Sequence, residues 1–101
     1  MFLLAAVLEE GTPTVADLEQ LANMIPWLWK KLGRRLLGTE AALYVIDKEN
    51  EDYSEKAFKM LLRWKHSEGS RATFQVLRDA LCHQLVNRRD LAERFCLKDH
   101  D

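Results

Sequence analysis

The three histidines and two cysteines are the side chains of this sequence best suited to bind a metal or to take part in catalysis. Cys82, His83, Cys96 and His100 together offer the sulfur and nitrogen ligands that zinc prefers. Adjacent residues on a helix do not share a face, however, so Cys82 and His83 are poorly placed for one ion. The sequence also has no C-x-x-C pair. We therefore expect no metal site, and we expect Cys82 to be a buried, unreactive thiol.

Catalytic motifs are missing from the sequence. It contains no G-x-S-x-G, no P-loop and no H-E-x-x-H. His66 lies near the expected end of a helix, where a cation interacts favourably with the helix dipole, so we expect it on the surface. Carboxylate pairs such as Glu51-Asp52 are sequence neighbours of the kind that is usually solvated. The sequence therefore predicts a protein that is not an enzyme and has no catalytic residues, no cofactor and no small-molecule substrate.

Length and composition favour one helical domain. The chain has 101 residues, of which 48% are hydrophobic and 31% are charged, enough for a single core and a polar exterior. A net charge of −1 is not typical of a polyelectrolyte-binding protein, and four glycines with two prolines are few for an all-β fold. Two cysteines are too few for a disulfide framework and fit a reducing, cytoplasmic setting. No apolar run approaches the roughly 20 residues of a membrane span, so we expect no membrane insertion.

The stretch from Ser54 to Asp90 has the strongest helical pattern. Its apolar residues recur at i, i+3, i+4 and i+7, which predicts two amphipathic helices. The first carries Ala57, Met60, Leu61 and Trp64, and the second carries Phe74, Leu77, Leu81 and Leu85. Ser54 and Ser70 are the expected N-caps of the two helices, and Gly69 is expected to end the first one.

Four further helices are expected around this pair. The first begins with Thr14-x-x-Asp17, which resembles a capping box, and ends before Pro26. The second spans Trp27 to Leu37, and the third is capped by Thr39. The last helix follows Asn87-x-x-Asp90, a pair shaped like an N-cap. Six short helices with brief connections predict an all-α bundle of antiparallel neighbours.

The two ends of the chain are expected to lie outside this bundle. Residues 1–13 begin with the apolar MFLLAAVLEE, which lacks the basic start and the cleavage site of a signal peptide. We expect a short extra helix there, or the tail of a preceding segment in a longer protein. Its apolar side chains, which are Phe2, Leu3, Leu4, Val7 and Leu8, should pack on the bundle or against another chain. The bundle is then expected over residues 14–96, followed by a polar, frayed tail at 97–101.

The order of these motifs resembles the death-domain family. The runs AFKMLLRW, KHSEGSR, ATFQVLRDAL and RRDLAERF are similar to its C-terminal half, and LEQLANMI and WKKLGRRLLGTEAAL are similar to its opening helices. The resemblance covers roughly Val15 to Phe95 and implies a Greek-key arrangement of six antiparallel helices. It also implies a non-enzymatic module that recruits other death domains into oligomeric complexes of apoptotic or inflammatory signalling. The ATFQ run is closest to adaptor-type death domains that lead to caspases, either as a fragment of a larger protein or as a single-domain adaptor.

Charged residues of opposite sign occupy different segments. The second expected helix is cationic, the connection after the third is anionic, and the turns before and after the fifth carry further charges. The candidate partner-binding residues are Lys30, Lys31, Arg34, Arg35, Asp47, Glu49, Glu51, Asp52, Lys65, Glu68, Arg71, Arg88 and Arg89. Segregated charges suit head-to-tail association between like domains. The resemblance implies contact surfaces at the helix 2/3 region, the helix 1/4 face, the turn after helix 4 and the turn before helix 6.

A nucleic-acid-binding helical domain is the alternative function. Trp27 and Trp29 lie on different sides of the second helix, so we expect one of them to be partly exposed. An exposed tryptophan beside Lys30 and Lys31 could stack on bases in a basic groove. The same pair of residue types suits a protein contact, because aromatic and cationic side chains are favoured interface anchors.

Overall fold

A computed structural model of the chain describes residues 7–98. In this range the chain forms six α-helices with two short 3₁₀ turns, at Pro26–Leu28 and Gly69–Arg71. The helices are α1 (Val15–Met24), α2 (Trp29–Leu37), α3 (Glu40–Glu49), α4 (Tyr53–Glu68), α5 (Phe74–Cys82) and α6 (Arg89–Cys96). The predicted all-α, six-helix bundle is confirmed.

Helix α4 is the element that most of the others contact. Helices α1, α2 and α3 pack against it, while α5 packs against α6 and α2. The predicted stripe of α4 faces this core, and its members Ala57, Met60, Leu61 and Trp64 are 0–1% exposed. The core therefore forms around one face of α4, as the spacing of these residues predicts.

Several predicted helix ends are confirmed. The Thr14 hydroxyl accepts a hydrogen bond from the Asp17 N–H at 3.0 Å, and the Asp17 carboxylate accepts one from the Thr14 N–H at 3.0 Å. This is the expected capping box. Gly38 ends α2 with φ +69°, a left-handed conformation that glycine adopts without steric cost. Thr39 precedes α3 as expected, although its side chain makes no capping bond.

The predicted caps of α4 and α5 are wrong. Asp52 caps α4, because its carboxylate accepts from the Glu55 N–H at 3.1 Å, and the Ser54 hydroxyl donates to the same carboxylate. Thr73 caps α5 in the same way, whereas Ser70 lies in the 3₁₀ turn. Several polar residues near each helix start can act as the N-cap. Which one does so depends on the direction from which the chain enters the helix, and the sequence does not show that direction.

Helix α5 is shorter than predicted, and this changes the connection to α6. Because α5 ends at Cys82, Leu85 leaves the apolar stripe and is 58% exposed, while Val86 is buried. Arg88, not Asn87, occupies the N-cap position of α6, and Asn87 has a positive φ of 55°.

The buried thiol is Cys96 and not Cys82. Cys96 is fully buried at the end of α6, and burial raises the pKa of its thiol to about 12. Cys82 is only half-buried. The early end of α5 explains the difference, because Cys82 lies in the last turn of that helix.

The two ends of the described chain pair with each other. The Glu9 N–H donates to the Cys96 carbonyl at 2.7 Å, and the Lys98 N–H donates to the Val7 carbonyl at 2.8 Å. Residues 7–10 are therefore extended and not helical, and Leu8 packs against the core. Lys98 is also paired, so the chain is not frayed at 97–98. The extra helix and the contacts expected of Phe2, Leu3 and Leu4 fall at 1–6, outside the described residues.

Gly33 lets α2 approach α3 and α4 closely. A Cβ at this position would lie 2.6 Å from Leu43 Cδ2 and 3.1 Å from Met60 Cγ, and both of those side chains are buried. Gly33 lies in the WKKLGRRLLGTEAAL run on which the family resemblance partly rests, and this close approach is a physical reason for a glycine there.

Replacing Trp64 by alanine should destabilise the domain severely. Large-to-small changes at buried aromatic positions cost about 3–5 kcal/mol, which for a domain of this size lowers the midpoint of thermal unfolding by at least about 10 °C. Leu85→Ala is the matched control, because Leu85 belongs to a predicted stripe but is exposed. A Trp64→Ala midpoint within two degrees of wild type would contradict its core position.

Gly33→Ala should also destabilise the domain, against the usual preference of helices for alanine. Alanine is favoured over glycine in a helix interior by about 1 kcal/mol, while overpacking a closed core costs about 1–3 kcal/mol. The clash with Leu43 and Met60 should prevail, because neither side chain has open space. Urea unfolding measures the sign, and a stabilised variant would contradict the close approach.

Candidate interaction surface

Three of the four cations on α2 have partners inside the domain. Arg34 Nε donates to the Glu40 carboxylate at 2.7 Å, and Arg35 Nη1 lies 3.0 Å from His83 Nε2. Lys30 is paired with Asp47 of α3. Lys31 is exposed and makes no ion pair with any residue between 7 and 98. Acids of α3 thus neutralise two of the four cations of α2, Lys30 and Arg34, and a hydrogen bond to His83 holds Arg35.

Asp47 joins three helices. Its carboxylate accepts from Lys30 Nζ of α2 at 3.0 Å and from Lys56 Nζ of α4. Both ammonium groups stabilise the ionised carboxylate, with Lys56 the stronger influence, so the pKa of Asp47 is lowered. Asp47 was expected to offer its charge to a partner, but the fold already uses that charge.

The connection between α3 and α4 keeps two unpaired acids. Asp52 is committed to the α4 cap, and the hydrogen bonds from Ser54 and from the Glu55 N–H lower its pKa. Glu49 and Glu51 are exposed and form no ion pair within the described part of the chain. These two carboxylates are therefore available to a partner.

The charged residues in the last turn of α4 and in the 3₁₀ turn that follows it are partly used by the fold. Lys65 Nζ donates to the Pro13 carbonyl at 2.6 Å and so holds the segment that precedes α1. Glu68 and Arg71 form an exposed pair at 3.8 Å, a separation at which surface pairs contribute little.

The two arginines at the start of α6 differ. Arg88 donates to both oxygens of the Asp90 carboxylate, at 3.0 and 2.9 Å, and approaches the Met24 carbonyl at 3.5 Å. This pairing lowers the pKa of Asp90 and raises that of Arg88. Arg88 is a candidate partner-binding residue, yet its side chain is only 32% exposed. Arg89 is exposed and forms no ion pair within residues 7–98.

A matching family model and a related protein identify the chain's family. The family model described as Death domain matches residues 16–96. The chain belongs to the death-domain family. It is also 31% identical over 78 residues to tumor necrosis factor receptor superfamily member 10B of Mus musculus, a match that covers 76% of this chain and 20% of that protein. The chain spans about a fifth of the length of this relative. The resemblance read from the sequence is confirmed.

Death domains are interaction modules of death signalling, so the charged residues of this death domain are candidate contacts with other proteins. The structure leaves four of the predicted residues exposed and with neither an ion pair nor a side-chain hydrogen bond in the described range, namely Lys31, Glu49, Glu51 and Arg89. Within that range, no group of three or more metal-binding side chains comes together. None of the six helices has the length and apolar character needed to cross a bilayer.

Two features of the surface were missed in the sequence. Lys59, Arg63 and His66 are exposed at i, i+4 and i+7 on α4 and line a groove with Glu49 of α3. Their helical spacing was a usable signal. The contact of Trp27 with Tyr53, whose ring centroids are 4.7 Å apart, had no such signal because the two residues are distant in sequence.

Because Lys30 and Lys56 both bind the Asp47 carboxylate, removing either lysine should change the pKa of Asp47, and the two changes should differ in size. The pKa of Asp47 should lie below that of a free aspartate, and Lys56→Met should raise it more than Lys30→Met does. Carbon-detected NMR titration of the carboxyl carbon measures all three values.

The pH dependence has a defined sign. A carboxylate whose pKa is lowered by folding adds stability above its unfolded pKa and loses it as pH falls through the folded value. Asp47→Asn should therefore reduce the difference in stability between neutral and acidic solution. An unshifted Asp47, or a larger effect from Lys30→Met, would contradict the observed geometry.

Proposed function

We propose that this death domain is a non-enzymatic, homotypic interaction module. It would recruit other death domains into an oligomeric signalling complex of apoptosis or inflammation in the cytoplasm. The observation that carries the proposal is the set of exposed charges that the fold does not use, with Lys31 on α2 and Arg89 on α6 opposed in sign by Glu49 and Glu51. Opposite charges on different elements of one domain suit heterologous contacts, in which each copy offers a different face.

The alternative, nucleic-acid binding, is weakened by the same geometry. A phosphate-binding groove needs several cations that are free to meet the backbone. Lys30, Arg34 and Arg35 instead contact Asp47, Glu40 and His83, respectively. The charges that made α2 resemble a nucleic-acid surface therefore support the bundle, and we do not propose this function.

The proposed module would serve equally in an adaptor or in a receptor. The adaptor-type resemblance of ATFQ remains a prediction. The related mouse protein is named as a receptor, and the chain matches a fifth of it. Either setting would use the same module, because recruitment depends on the surface of the domain.

Affinity capture by the immobilised domain, with mass spectrometry, tests the proposal. The wild-type domain should capture death-domain proteins, and a Lys31→Glu, Arg89→Glu variant should lose them. Like charges brought together at an interface cost several kcal/mol, and each 1.4 kcal/mol is a tenfold loss of affinity. Circular dichroism should show that the variant is folded, and labelled RNA and DNA should not bind.

Arg94→Glu is the matched control, since it reverses an exposed charge on the same helix as Arg89. It should leave capture unchanged. Failure of the wild-type domain to bind any death domain, including its own copies, would contradict the proposed function, as would stoichiometric binding of nucleic acid.

A further inference from the structure

His83 is the centre of the connection between α5 and α6. It occupies the C-cap position of α5, and its N–H donates to the Ala80 carbonyl at 3.3 Å. Its own carbonyl accepts from two backbone donors of the connection, the Val86 N–H at 2.9 Å and the Asn87 N–H at 2.7 Å. The backbone of this connection is therefore folded around one histidine.

The imidazole ring of His83 has a contact at each of its nitrogens. Nδ1 faces the Leu85 N–H at 3.1 Å, inside the connection. Nε2 faces Arg35 Nη1 at 3.0 Å and so joins the connection to α2. Both of the groups that face the ring are donors, because a backbone N–H and a guanidinium have no lone pair to offer. Each contact therefore requires a ring nitrogen that carries no proton.

A neutral imidazole cannot accept from both donors at once. It has one N–H and one bare nitrogen, so each tautomer binds either Arg35 or the Leu85 N–H. The bond from Arg35 is charge-assisted and is the stronger of the two. The bond from Leu85 lies on the surface, where water is an alternative acceptor for the N–H. We therefore expect the tautomer with its proton on Nδ1, in which Nε2 binds Arg35.

Protonation of the ring removes both contacts. Each nitrogen of an imidazolium carries a proton, so Nε2 would meet Arg35 as one donor against another and as one cation against another. Histidine ordinarily gains this proton between about pH 8 and pH 5, a range in which the other unperturbed side chains keep their charge. The junction between α2 and the connection is thus sensitive to pH by its composition.

No acid of the described residues offsets a charge on this ring. His83 forms no ion pair with any carboxylate between residues 7 and 98. The two nearest acids along the chain are already paired, Asp79 with Arg78 and Asp90 with Arg88. An imidazolium would therefore add a positive charge beside Arg35 without compensation. The charged and titratable groups around it are Arg35 of α2, Asp79 and Cys82 of α5, and Arg88, Arg89 and Asp90 at the start of α6.

We propose that His83 is a pH-sensitive switch, and that protonation of its ring releases the α5–α6 connection from α2. The Arg35 contact is lost, and the Leu85 N–H has no acceptor on the ring in any orientation. The connection is then held by its backbone hydrogen bonds alone, so it opens more often.

The release is confined to the connection, because the start of α6 is held separately. The Arg88 side chain binds Asp90, and the Arg88 N–H donates to the Leu81 carbonyl at 2.8 Å. None of these bonds involves the imidazole ring. Residues 83–87 therefore respond to pH while the helices on either side keep their places.

The connection is also part of the surface that a partner can meet. It contains Leu85, which is 58% exposed, and it leads into α6, where Arg89 is exposed. A loop that is more mobile before binding loses more conformational entropy when a partner orders it. Partners that bind at this turn should therefore bind less tightly in acid. This consequence rests on the proposed function, whereas the release of the connection does not.

NMR of the purified chain tests the switch. Long-range proton–nitrogen spectra should show His83 Nε2 without a proton at about pH 8 and with one at about pH 5. Hydrogen exchange, corrected for its intrinsic pH dependence, should show that protection of the Val86 and Asn87 amides falls at least about tenfold over the same range, as expected for loss of a hydrogen bond to a charged group. Amides in the middle of α4 should keep their protection.

Two glutamine variants are the matched pair for this measurement. His83→Gln keeps a side-chain carbonyl that can accept from Arg35 but does not titrate, so its connection should stay protected at both pH values. His66→Gln removes the other histidine of the described range, which is exposed, and should respond like wild type. Arg35→Met removes the facing cation, so its pH response should be smaller than that of wild type.

Three results would overturn the switch. They are a proton on Nε2 at about pH 8, equal pH responses of wild type and His83→Gln, and an undiminished response in Arg35→Met. Circular dichroism at both pH values confirms that each variant is folded.

Capture of death-domain proteins at the two pH values separates this inference from the proposed function. Wild type should lose at least about tenfold more affinity in acid than His83→Gln does. Equal losses, together with the expected NMR response, would refute the effect on partners and leave both the switch and the recruitment function standing. A chain that shows the NMR response but captures no death domain at either pH would refute the proposed function and leave the switch standing.

Discussion

The close approach of α2 to α3 and α4 at Gly33 is the constraint on which much of the remaining structure depends. The missing side chain lets the backbone of α2 lie against Leu43 and Met60, a distance that a Cβ would not permit. The buried side chains Trp29 and Leu32 fix the rotation of α2 about its axis, because interiors are packed too densely for it to turn. With distance and rotation both set, Lys30 meets Asp47 and Arg34 meets Glu40. The core contact at Gly33 thus determines which surface charges form ion pairs within the domain.

This dependence separates what could be predicted from what could not. The stripe of α4, the capping box at Thr14 and the end of α2 at Leu37 are local properties, and the sequence predicted them. The Asp47 cluster joins residues of three helices, and its formation depends on the packing of all three. Periodicity places each charge on a face of its own helix, but it does not say which faces meet. For this reason the sequence identified the charged residues as a set, but it did not show which of them form ion pairs within the fold and which remain free for a partner.

The errors at helix ends have a related physical origin. An N-cap is decided by competition among nearby polar side chains, each worth about 1 kcal/mol, and the direction of the preceding chain selects one of them. Asp52 prevails over Ser54 because its carboxylate receives both the Glu55 N–H and the Ser54 hydroxyl. Likewise, helical spacing predicts the burial of an apolar residue only if the helix extends as far as that residue. Leu85 keeps the spacing of α5, but the chain has already turned at His83. Local signals therefore located the elements better than their boundaries.

The segment before α1 takes part in the fold more than an appended peptide would. The Gly11 carbonyl accepts from the Phe74 N–H at 3.1 Å, and so pairs one of the backbone donors that the first turn of α5 leaves without a helical partner. The Pro13 carbonyl receives the Lys65 ammonium, and Pro13 itself is buried. Removal of this segment would expose a donor of α5 and leave a lysine of α4 without its acceptor. The family match begins at residue 16, yet polar groups of two core helices depend on residues that precede it. As at Asp47, a polar group that stabilises the bundle is no longer available to bind a partner.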